Sequence, residues 1–182
     1  TTINWNKIII AGHSQGGSHA AIIGQENQVK RVLMFASPND YLNNLGMQAP
    51  WVDNASLTAD SLYYAFGNIN DEAGPGLSVQ YQNWGNLGLA NFGDTILIEQ
   101  VPCPFNNSHQ IYTNYEASGI ITPNHSSVVR DDETPVNGSG IAEFESVWRY
   151  MLGIGCSTTN LPFNEIPSLI IYPNPADDNL II

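Results

Sequence analysis

Basic residues are scarce in this chain. Its 182 residues hold five Lys and Arg against 17 Asp and Glu, a formal net charge of −12. The five (Lys7, Lys30, Arg31, Arg130 and Arg149) are scattered apart from one adjacent pair. A field of that sign repels phosphate backbones, so nucleic acid is not an expected partner. Charged residues of either sign make up only 12 % of the chain, and with many Asn, Gly, Ser and Thr this composition suits a secreted protein. No apolar run reaches bilayer-spanning length, so no transmembrane segment is expected. An initiator Met and a signal peptide are also missing from the start, and the expectation is a chain cut from something longer, with its signal peptide in the missing part. Cysteine is limited to Cys103 and Cys156, which form either one disulfide in an oxidising compartment or two buried thiols. The cysteines and the four histidines lack the spacing of a metal cluster, and neither metal nor cofactor is expected.

Against those absences stands one dense local signal. Residues 7–11, Lys-Ile-Ile-Ile-Ala, form an apolar, β-branched run that breaks into Gly12-His13-Ser14-Gln15-Gly16, with small residues following at helix-compatible spacing through Ala20 and Ala21. Strand, sharp turn and helix in that order are the context in which Gly-x-Ser-x-Gly presents its serine as a nucleophile. The glycines have a steric reason. The backbone of such a turn is strained and its two flanks nearly touch, so a side chain at Gly12 or Gly16 is expected to clash. The turn sets the Ser14 hydroxyl above the sheet at the start of a helix, where the Gln15 N–H and the positive end of the helix dipole can stabilise an oxyanion.

The length suits one domain with a sizeable core. Residues 7–11 and 31–36 are apolar at consecutive positions, as strands buried on both faces are, and the helix between them is expected to run from Ser14 to about Gly24. Two strands joined by a helix make a right-handed parallel unit. Further strands are expected at 61–66, 95–99 and 109–113, and an amphipathic closing helix at 141–152. The fold class is therefore α/β, a mostly parallel sheet flanked by helices. Residues 74–93, rich in Gly, Asn and aromatics, read as a long loop or short helices, either surface packing or a substrate mouth. The chain divides into a domain over 1–153, a linker over 154–168 and a short β-type tail over 169–182.

A serine nucleophile needs a base. His13 and His19 lie on or beside the turn, where a side chain next to the nucleophile is expected to point elsewhere, and both read as structural. In a parallel sheet, function gathers at the carboxyl ends of the strands. His109 begins its strand and so sits at the wrong end, whereas His125 lies on the loop after the strand and is the candidate base, the alternative being a solvated loop histidine. Asp71 follows the third strand at its carboxyl end and completes the chain order Ser, Asp, His. Asp40, after the second strand, is the runner-up acid; Asp131 and Asp132 read as a solvated turn.

Gly12-His13-Ser14-Gln15-Gly16, then Asp71, then His125, with a closing helix, resembles the carboxyl half of an α/β hydrolase, in a spelling common among its esterases and lipases. Asn83-Trp84 and Val147-Trp148-Arg149-Tyr150 are similar to bacterial hydrolase-like families of unsettled substrate. The resemblance covers about residues 1–153. It implies a Ser14–His125–Asp71 triad acting through an acyl-enzyme on a small-molecule or lipid ester. An amidase or peptidase of the same fold, or a binding module on the scaffold, are the alternatives. It also implies about four strands ahead of the Ser14 strand, together with the loop that supplies a second oxyanion N–H. This stretch alone is thus expected to be an inactive fragment with an open, association-prone strand edge. A second resemblance is carried by Tyr172-Pro173-Asn174-Pro175-Ala176-Asp177-Asp178-Asn179-Leu180. This run is similar to the opening of the type IX secretion sorting domain of Bacteroidetes. It implies an exported or surface protein whose tail engages the secretion machinery.

Overall fold

In the computed structural model, residues 2–130 and 132–157 are described; the linker and tail expected from the sequence lie almost wholly outside them. Five strands build one parallel sheet: β1 (Ile9–His13), β2 (Arg31–Phe35), β5 (Tyr63–Asn68), β6 (Ile96–Leu97) and β7 (Gln110–Thr113), in the spatial order β1-β2-β5-β7-β6. A two-stranded antiparallel ribbon, β3 (Tyr41–Leu42) with β4 (Met47–Gln48), projects after β2. The helices are α1 (Gln15–Glu26), α2 (Leu77–Asn86), α3 (Pro123–Ser127) and α4 (Glu145–Leu152). The α/β class and the mostly parallel sheet flanked by helices stand as expected.

Alternation along β2 and β5 divides the core in two, because successive strand residues face opposite sides. Val32, Met34, Tyr63 and Ala65 pack under α1 and α2 with Ala20, Ala21, Leu77 and Trp84. Leu33, Phe35, Tyr64 and Phe66 pack on the other face with Val147 and Met151 of α4. Helix thus covers sheet on both sides, which is what lets strands be apolar at every position.

Several element bounds differ from the expected ones. β1 and β5 run two residues further than the apolar runs, through Gly12–His13 and Gly67–Asn68, because the ladder needs only backbone groups: Gly12 pairs with Met34 and Gly67 with Tyr112. The segment expected as a long loop or short helices contains the ten-residue α2, whose Trp84 is fully buried and donates its indole N–H to the Ser37 carbonyl at 2.7 Å. The closing helix is shorter than 141–152 and starts only at Glu145, since Asn137 turns the preceding chain by accepting from the Ser139 and Ile141 N–H groups. Cys103 and Cys156, left open between bond and free thiols, form a disulfide. No helix among the described residues is long and apolar enough to cross a membrane.

Candidate functional site

The carboxyl ends of β1, β5 and β7 converge on the residues singled out by sequence. Ser14 follows β1 directly and sits at φ 55°, ψ −127°, a conformation that costs a serine about 1–3 kcal/mol and persists only where its surroundings enforce it. The enforcement is visible. Ser14 N–H donates to the Phe35 carbonyl at 2.9 Å, its own carbonyl accepts from Gly17 N–H at 3.0 Å, and a Cβ on Gly12 would stand 2.0 Å from the Gly16 carbonyl oxygen. The expectation for Gly16 is corrected: a Cβ there meets nothing within 4 Å, because it points away from the crossing. The second glycine that the turn requires is Gly17, whose Cβ would meet Ser37 at 2.5 Å. Gln15 is the first residue of α1, where leading N–H groups have no partner within the helix.

Asp71 and His125 meet. His125 Nδ1 lies 2.9 Å and 3.0 Å from the two Asp71 carboxylate oxygens, with side-chain exposures of 6 % and 0 % for histidine and aspartate. A carboxylate only accepts, so Nδ1 carries the proton and Nε2 is left as the acceptor. Asp71 is itself held on both oxygens, by the Gln80 side-chain amide at 2.7 Å and the Ala73 N–H at 2.8 Å. The next residue grips the same histidine by its backbone: Glu72 accepts from the N–H groups of Asn124 and His125, both at 3.1 Å, at the head of α3. His125 is therefore a buried helix residue rather than a solvated loop one. Neither His125 Nε2 nor the Ser14 hydroxyl makes a hydrogen bond among the described residues.

The remaining candidates are placed elsewhere. Asp40, the runner-up acid, accepts from the Ser18 hydroxyl of α1 and does not touch a histidine. Asp132 pairs with Arg130 at the surface, and Asp131 lies outside the described residues. His19 is exposed on α1. His109, just before β7, is stacked between Tyr64 and Phe92 with ring centroids at 4.0 Å and 4.7 Å, and burial pushes its pKa down to about 4. It stands at the amino end of the sheet, away from the other groups, as the topology argument requires.

Comparison with family models, with curated proteins and with solved structures finds no match. What the site can do chemically therefore rests on its own geometry.

His13, read as structural, lies closer to the candidate base than the sequence indicated. Expected to point elsewhere, its ring lies against that of His125, centroids 4.7 Å apart, and its Nε2 is 3.0 Å from the His125 carbonyl oxygen. Burial holds the His13 pKa below the usual histidine value. Glu72 and Gln80 were missed altogether, although Glu72 adjoins Asp71, because nothing in the pattern ties an acid to a helix 52 residues away. Among the described residues no group of His, Cys, Asp and Glu is arranged to hold a metal ion.

Proposed function

We propose that the chain is a serine hydrolase of the α/β class that cleaves a carboxylic ester through an acyl-enzyme. The observation that carries the reading is the buried Asp71–His125 pair, on the same end of the sheet as a serine held in a strained strand-to-helix turn. Ser14 Oγ attacks the acyl carbon as its proton passes to His125 Nε2, and Asp71 keeps the imidazole oriented and stabilises its charged form. The oxyanion of the tetrahedral intermediate faces the Gln15 N–H at the head of α1. Collapse breaks the ester bond, and the departing alcohol takes the proton from His125. Water then repeats the sequence on the acyl-Ser14 and releases the acid.

An amidase or peptidase would use the same groups, since leaving-group preference depends on the shape of the pocket. The reading from another class is a binding module that keeps the scaffold without turnover, and the lack of a Ser14–His125 hydrogen bond is the observation that favours it. Export belongs to the same proposal: a disulfide suits an oxidising compartment, and the sorting-type tail, residues 169–182, lies outside the described residues.

Intact-mass labelling with a fluorophosphonate decides between these. The hydrolase reading expects a single adduct that disappears in Ser14→Ala. Because further strands are expected ahead of β1, a version lengthened at the amino end is the second arm. If both forms are folded and neither is labelled, turnover is refuted and the binding module is left. Hydrolysis of paired nitrophenyl ester and nitroanilide substrates then separates esterase from amidase.

A further inference from the structure

We propose that His13 is a positioning residue for the base: its ring N–H, donated to the His125 carbonyl, fixes how far α3 stands from the Ser14 turn and so where His125 Nε2 is aimed. The proposal rests on the hydrolase reading for its meaning but on independent geometry for its content.

The argument begins with the His125 carbonyl. In a continuing α-helix that oxygen would accept from the N–H four residues on, which belongs to Val129. Here α3 ends, and the N–H groups of both Val129 and Arg130 donate to Ser126 instead, at 3.2 Å and 2.9 Å. The His125 carbonyl is thereby released from the helix ladder, and His13 Nε2 takes it at 3.0 Å. An unmet buried carbonyl is expensive, so this donor is not idle.

His125 then has four polar handles with three assigned. Its backbone N–H goes to Glu72, its Nδ1 to Asp71 and its carbonyl to His13, which leaves Nε2 as the free one. Glu72 and Asp71 both belong to the loop after β5. His13 is different, because it is the last residue of β1, paired in register with Phe35, and the residue bonded to it is Ser14. One side chain therefore measures the distance between nucleophile and base from the nucleophile's own strand. The second contact, ring against ring at a 48° tilt, restrains the imidazole plane as well as the backbone.

A neutral His13 donates through Nε2–H without adding a charge beside His125. When His125 takes the serine proton it becomes a cation beside His13, and two adjacent cations would repel. Burial, the His125 ring and Arg130 all lower the proton affinity of His13, against the opposing pull of Asp71 and of the hydrogen bond to the His125 carbonyl.

The test reads the imidazole directly, so it does not depend on turnover. In 15N-histidine protein the His125 Nδ1–H bonded to Asp71 gives a downfield proton resonance, assigned by its loss in Asp71→Asn. His13→Phe keeps a ring against His125 but removes the donor; His13→Gln restores a donor of similar reach. The expected result is that the resonance broadens or vanishes in His13→Phe and returns in His13→Gln. In parallel, the maximal rate of fluorophosphonate labelling falls about tenfold to a hundredfold in His13→Phe, the cost of a base displaced by about an ångström, with half-saturation unchanged. Should His13→Phe not fold, His13→Leu, which likewise has no donor, gives the same contrast. An unchanged resonance and rate in the donor-less variant overturns the proposal, as does a His13→Gln protein no better than His13→Phe, or a wild type without the resonance. A resonance that follows His13 as expected in a protein that no fluorophosphonate labels leaves the positioning role standing and removes the hydrolase reading.

Discussion

Two glycines two residues either side of Ser14 look equivalent in the sequence and are not. A methyl group on Gly12 would lie inside the backbone of Gly16 and Gly17, which cannot retreat without unwinding the first turn of α1, whereas one on Gly16 enters open space. Gly12→Ala is therefore expected to cost about 3 kcal/mol or more, and Gly16→Ala to leave stability within about 1 kcal/mol or raise it, since alanine favours the helix. Urea midpoints of the two variants check this; equal losses would refute the crossing geometry. His109 makes the other residue-scale prediction. Its folded pKa lies near 4 against 6.5 for an unperturbed histidine, so between those values the unfolded chain holds a proton that the folded one does not. Stability then falls as pH drops through that window, by up to about 2–3 kcal/mol from this group at pH 4. His13, also lowered, adds in the same direction. His109→Phe keeps the stack with Tyr64 and Phe92 and cannot titrate, so its unfolding midpoint should drop less than that of the wild type between pH 7 and pH 4.5.

At the scale of elements, what the sequence discloses depends on whether an element's partner is water or protein. β2 and β5 are readable because both faces are apolar, and their residues recur in the two core clusters. The Ser14 turn is readable because a close backbone crossing leaves glycine behind. α2 was not, and the reason is specific: Gln80 and Asn83 occupy its buried stripe beside Leu77 and Trp84, fully enclosed, so the apolar periodicity is broken where it would have announced a helix. Those polar side chains are enclosed because they are paired, Gln80 donating to Asp71 at 2.7 Å and Asn83 to the Pro38 carbonyl at 2.9 Å. The same logic covers α3, five residues long and opened by an αL threonine, whose head is held by Glu72 from another loop. Ser14, Asp71 and His125 were legible through strand-end topology and chain order. The groups that touch Asp71 and His125, namely His13, Glu72 and Gln80, are bound to them by contacts that periodicity does not encode.

For the molecule as a whole, the sheet separates two kinds of requirement. Ser14, Asp71 and His125 gather at the carboxyl ends of the strands, while the amino ends carry packing such as the His109 stack and Arg31, which lies over the Tyr64 ring and donates to the Met151 carbonyl at 2.8 Å. Met151 belongs to α4, the helix that covers the second face, and Cys156 follows it by five residues. The disulfide to Cys103, 53 residues earlier in sequence, is thus a strap that keeps α4 on Leu33, Phe35 and Phe66. Closing a loop of that length removes unfolded-state freedom worth about 2–5 kcal/mol. Reduction, or Cys103→Ser with Cys156→Ser, is expected to lower the urea unfolding free energy by that amount. The Asp71–His125 resonance should survive in the fraction still folded, because Asp71, Glu72 and His13 hold that histidine from β1 and β5 rather than from α4. Trp148 ties α4 to the chain after α3, through the Val128 carbonyl at 2.8 Å. Loss of the resonance on reduction, at a denaturant concentration where the sheet is still folded, would mean that α4 carries the orientation of His125 and that the strap is part of the candidate site.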